Sequence, residues 1–160
     1  MADVPGPAVA GALTTLLRET FEGPSGPSTY YIDNDPRAGL LPAIEALTPE
    51  EASASPFAGA PTIAGHVHHV AFHVEMSSAW MRGDRADRDW KESWSVRRVD
   101  AKAWERVRRD VRAKYEDLLR AIETEPSARA EALATSVGAV AHAAYHLGAI
   151  RQRIAAAKAD

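Results

Sequence analysis

Apolar residues recur along this chain at intervals of three and four, the spacing of one face of an α-helix. From Ala8 to Phe21, after Pro7, they fall at Val9, Leu13, Leu16, Leu17 and Phe21, which predicts an amphipathic first helix. The GPSGPS stretch from Gly23 to Ser28 ends it. Residues 30–36 read as extended or turn-like. Pro36 to Leu47 then has room for one short helix bounded by Pro42 and Thr48-Pro49, and Thr48-Pro-Glu-Glu predicts a capped turn. A second long helix is expected from Pro61-Thr62 to Met81, stopped by Gly83. Its Ile63, Val67, Val70 and Val74 fall within about 60° of one another on a helical wheel and form a core seam.

Asp84 to Val99 is charged and irregular yet holds two of the four tryptophans, Trp90 and Trp94. Tryptophans in a polar loop usually pin it down or wall something in. Asp100 reads as the N-cap of a third long helix, whose buried stripe is Trp104, Val107, Val111, Leu118 and Ile122. Pro126 interrupts the pattern, and a last helix is expected from about Ala128 to Ala156. Four long helices joined by two long connections describe an all-α four-helix bundle.

Composition narrows the picture without changing it. At 160 residues, 46% hydrophobic and 26% charged, the chain suits one domain over residues 1–160. A net charge of −3, with basic residues dispersed or beside acids, gives no footprint for nucleic acid or an anionic membrane. With no signal-like start and no long apolar run, a cytoplasmic protein is expected. There is no cysteine, which excludes disulfides, thiolate metal sites and a cysteine nucleophile. A metal here must be held by nitrogen and oxygen.

The six histidines supply that chemistry. His142 and His146 lie four residues apart in VGAVAHAAYHLGAIRQ, so their rings leave one helix face a turn apart, within reach of a single ion. Ala143, Ala144, Gly148 and Ala149 around them leave room for a neighbouring helix or a ligand. The other four, His66, His68, His69 and His73, share one short window, GHVHHVAFHV. His66, His69 and His73 flank the valine seam, while His68 points away and reads as solvated. On geometry alone any of the three could complete a three-nitrogen site with an open position, the composition of a catalytic metal centre.

TIAGHVHHVAFHVEMSSAWMRG, DWKESW, VDAKAWERVRRDVRAKYEDLL and AHAAYHLGAIRQ, in this order, resemble the DinB/YfiT-like superfamily of bacterial metalloenzymes over residues 61–154. The resemblance implies an up-down-down-up four-helix bundle and a divalent metal held by His69, His142 and His146; His66 and His73 depart from its minimum pattern and keep the second-helix ligand open, as neighbours or alternative ligands. It also implies a transferase using a low-molecular-weight bacterial thiol; related folds include a maleylpyruvate isomerase. Zn²⁺ and Ni²⁺ both suit imidazole. Trp90 and Trp94 would then wall a pocket for the electrophile, and Tyr145 is either packing or a substrate contact. No residue is singled out as catalytic.

The competing expectations are a non-catalytic metal-binding module, such as a stress-response protein, and a metal-dependent hydrolase. A structural site would be closed by a fourth protein ligand, for which Glu75 is the candidate. A homodimer is expected, with Leu40, Leu41, Ile44 and Leu47 as an apolar patch to spare. Arg151 and Arg153 read as favouring the last helix dipole, and RVRRDVR at 106–112 as a solvated face.

Overall fold

A computed structural model describes residues 6–124 and 130–157. Six helices are present among them: α1 (Gly6–Glu22), α2 (Leu40–Glu45), α3 (Pro49–Ser53), α4 (Ile63–Met81), α5 (Ala101–Thr124) and α6 (Ala130–Ala157). A single 3-10 turn, Glu92–Trp94, interrupts the connection from α4 to α5. No strand occurs among the described residues. The expected break at Pro126 and helix start near Ala128 lie outside them.

Local chemistry sets the helix ends. Thr62 Oγ1 accepts from Gly65 N at 3.1 Å and caps α4, and Asp100 Oδ1 accepts from Ala103 N at 2.7 Å ahead of α5. Thr48 and Glu51 form a reciprocal capping box on α3, so the predicted turn is a short helix of its own. Pro42 sits inside α2, near its start, where a missing N–H costs nothing.

The four long helices form a ring in which α1 packs on α5, α5 on α4, α4 on α6, and α6 on α1. Pairing across the seams fixes the directions. Glu75 meets Lys114 and Arg82 meets Asp117, so α4 and α5 are parallel. His66 faces His146 while Ser136 reaches Met81, so α4 and α6 are antiparallel. Phe21 stacks on Tyr115 and Arg18 meets Glu123, so α1 and α5 are antiparallel. The order is therefore up-down-down-up. Leu17, Phe21, Val67, Val70, Val74, Val111, Leu118 and Ile150 fill the axis with essentially no exposure.

The apolar side of α2 does not supply the dimer patch expected above. Leu40, Leu41 and Ile44 are buried in the chain's own core and Leu47 is half-buried against it, because α2 packs on α1 and α5. Residues 82–100 return along the bundle and press on the start of α4. A Cβ built on Gly65 would lie 2.8 Å from the Val96 carbonyl oxygen, so only glycine admits the returning backbone there. The Val99 amide donates to Ser53 Oγ at 3.0 Å, which ties the same segment to α3.

Candidate metal centre

His66, His69 and His73 follow one another at three and four residues on α4, so all three lean toward the antiparallel α6. From α6, His142 and His146 project into the same seam. One ring nitrogen from each of His69, His142 and His146 lies within 4.8 Å of the other two. His69 Nε2 is 3.1 Å from His142 Nε2, and His66 Nδ1 is 2.9 Å from His146 Nδ1. His73 stacks on His142 with centroids 3.8 Å apart. Five of the six histidines thus share one cluster, with His66, His69 and His146 buried and His73 and His142 half-buried.

The returning segment closes one side. Trp94 stacks on His69 with ring centroids 4.0 Å apart and meets His66 and His146 in T-shaped contacts. Trp90 lies farther out, 6.2 Å from His73 and 5.4 Å from Phe72, and stays largely exposed. Both predicted wall residues therefore border the cluster, Trp94 as an intimate contact and Trp90 at the rim. Between them the sequence reading missed Ser93. It is completely buried, its hydroxyl lies 2.8 Å from His69 Nδ1, and it donates to the Trp90 carbonyl at 2.7 Å. A serine in a polar loop has no periodicity to betray it.

Burial sets the charge of these rings. Desolvation lowers His66, His69, His73 and His142 to about 4 and His146 to about 3. Neighbouring imidazoles push the same way, with the Arg153 guanidinium adding to the effect at His66. At neutral pH the cluster is therefore a set of uncharged nitrogen donors. Two buried nitrogens in it, His66 Nε2 and His142 Nδ1, have no hydrogen-bond partner. Such orphans are expensive unless they serve a ligand or a role in the site. Neutral, converging imidazoles fit a divalent transition-metal ion, and the fit is to nitrogen alone.

A family model described as the DinB superfamily matches residues 35–150. The chain belongs to the DinB superfamily. No curated protein and no solved structure matches it.

Other predicted residues of this DinB-superfamily chain fall elsewhere. Glu75, the candidate fourth ligand, is exposed on the α5 side of α4 and pairs with Lys114 at 2.8 Å, so it does not close the site. His68 is not simply solvated: it is half-buried, and its Nε2 donates to the Glu92 carbonyl at 3.2 Å, which holds the 3-10 turn. Tyr145 is 73% exposed, with its ring edge-on to His146 at 5.0 Å, at the mouth of the cluster. Arg153 donates to the carbonyls of Pro61 and Ala149, and Arg151 pairs with Asp33, so both arginines fasten α6 to other parts of the chain. No helix among the described residues is long and apolar enough to cross a membrane.

Proposed function

We propose that this protein is a divalent-metal-dependent enzyme in which His69, His142 and His146 hold the ion, and that it transfers a low-molecular-weight bacterial thiol to a small electrophile. The observation that carries the reading is the convergence of one nitrogen from each of these three histidines within 4.8 Å. Three protein donors are the number a catalytic ion takes when a further position is left for an exchangeable ligand. Zinc or nickel in this nitrogen set supplies Lewis acidity, lowering the pKa of an acid that reaches it, whether water or a thiol.

The chain's own residues account for the rest. Without cysteine, the protein must take its thiol from solution. Trp94 and the core side chains exclude water from the α4 side of the imidazoles, which keeps them neutral and ready to donate. Tyr145 and Trp90 border the exposed edge of the cluster, where an electrophile would be oriented. Positioning of this kind is where most of the rate must come from, because a low-pKa thiol is also a weaker nucleophile.

The reading is tested by metal analysis and turnover together. Purified protein is expected to hold one transition-metal ion per chain and to conjugate a bacterial thiol to a model electrophile. His142→Ala should lose both the ion and the activity. Unchanged metal content in His142→Ala would reject the site. Metal bound with no turnover for any thiol, or turnover of an ester or amide instead, would favour the interaction module or the hydrolase.

A further inference from the structure

Resting on the metal reading above, we propose that Ser93 is the positioning residue of the centre: it fixes His69 with its proton on Nδ1 and its Nε2 lone pair facing His142. A serine hydroxyl has one proton, and the Trp90 carbonyl, which can only accept, takes it at 2.7 Å. Ser93 Oγ is then an acceptor toward His69, so the His69 Nδ1 atom, 2.8 Å away, must carry the hydrogen. A neutral imidazole has only one N–H, and Nε2 is left as a lone pair.

The next link follows from the 3.1 Å separation of His69 Nε2 and His142 Nε2. With His69 Nε2 an acceptor, His142 donates from Nε2, and its Nδ1 becomes a bare acceptor. That nitrogen is one of the two buried atoms without a partner. The chain therefore runs His142 to His69 to Ser93 to the Trp90 carbonyl, with each proton pointing toward the 3-10 turn. The two histidines are not equivalent. His69 already presents a lone pair to the seam, whereas His142 must move its proton from Nε2 to Nδ1 before its Nε2 can coordinate.

The same hydroxyl joins the ion's site to the returning segment. Ser93 and Trp94 touch His69, while His68, the adjacent residue of α4, holds the Glu92 carbonyl. The turn is thus held by two successive histidines, and an ion that fixes His69 also fixes Glu92–Trp94. Groups that orient a ligating histidine are typically worth 10- to 100-fold in metal affinity.

The test has two arms. In metal-free wild-type protein, nitrogen NMR of the imidazoles should show His69 protonated on Nδ1 and His142 on Nε2. Finding His69 protonated on Nε2 overturns the proposal without any variant having to fold. In the second arm, zinc affinity is read by competition with a chromogenic chelator. Ser93→Ala should bind about 10- to 100-fold more weakly, and Ser93→Thr, which restores the hydroxyl, should regain the affinity. Wild-type affinity in Ser93→Ala beside lost binding in His142→Ala would reject Ser93 and leave the metal reading standing. Failure of the wild-type protein to bind zinc or nickel would reject both.

Discussion

The seam between α1 and α5 and the seam between α4 and α6 lie on opposite sides of the same ring, and they bury polar groups in opposite ways. In the first, Phe21 stacks on Tyr115 at 4.4 Å, and the Tyr115 hydroxyl donates to the Glu22 carboxylate. Burial and that carboxylate both raise the phenol's pKa, so it remains a neutral donor. That hydroxyl is satisfied. The second seam holds five imidazoles, with two buried nitrogens unpartnered. This unsatisfied seam is where the fold gives up stability for a ligand.

Acid should break this contrast most strongly, since it acts on all five rings together. Well above pH 6.5 the imidazoles are neutral in both folded and unfolded chains and add no pH dependence. As the pH falls from 6.5 toward 4, the unfolded chain takes up protons that the folded cluster refuses, so stability declines across that window. Thermal unfolding of metal-free protein should show a falling midpoint from pH 6.5 to 4, and zinc, which binds the folded chain, should raise the midpoint at each pH where it stays bound. A midpoint that is flat over this range would mean the rings are not held neutral.

Truncating the other seam should separate stability from the site. Tyr115→Ala removes the stacked ring and the hydroxyl together and is expected to cost about 3–5 kcal/mol, read by denaturant unfolding, while metal content per folded chain stays unchanged. Loss of metal in this variant would show that the two seams are not independent. The smallest effect belongs to Tyr115→Phe, which keeps the ring and deletes only the bond to a half-exposed carboxylate. About 1 kcal/mol is expected. A loss as large as that of the alanine variant would mean the hydroxyl, and not the stack, secures that seam.

The sequence revealed these seams unequally. The α5 stripe could be read directly, because charged residues on the outer face leave Trp104, Val111, Leu118 and Ile122 to mark the inner one. Thr62 and Asp100 announced helix starts through a mechanism that acts within three residues. In α6, no charged residue occurs between Glu131 and Arg151, so only His142 and His146 marked its working face. Ser93 was invisible because its partner lies 24 residues away on another element. Glu75 misled because a carboxylate near a histidine cluster in sequence can still face the opposite side of the helix, and here Lys114 claims it. The α2 leucines misled for a related reason: hydrophobicity reports a wish to be buried, and the chain's own core met it.

The parallel course of α4 and α5 has a topological consequence for the centre. α4 is about 28 Å long at 1.5 Å per residue, and α5 starts beside its beginning, so residues 82–100 must travel that distance backward before the next helix can start. Fully extended they could span about 60 Å, roughly twice the journey. That slack is what lets the segment fold into a turn midway and lay Ser93 and Trp94 against the histidines. In a bundle whose helices simply alternated direction, a tight turn would suffice after Met81, and no backbone would pass this seam. The cover on the imidazoles is therefore a by-product of the order in which the four helices are strung, available to any chain with this connectivity before its loop sequence is chosen.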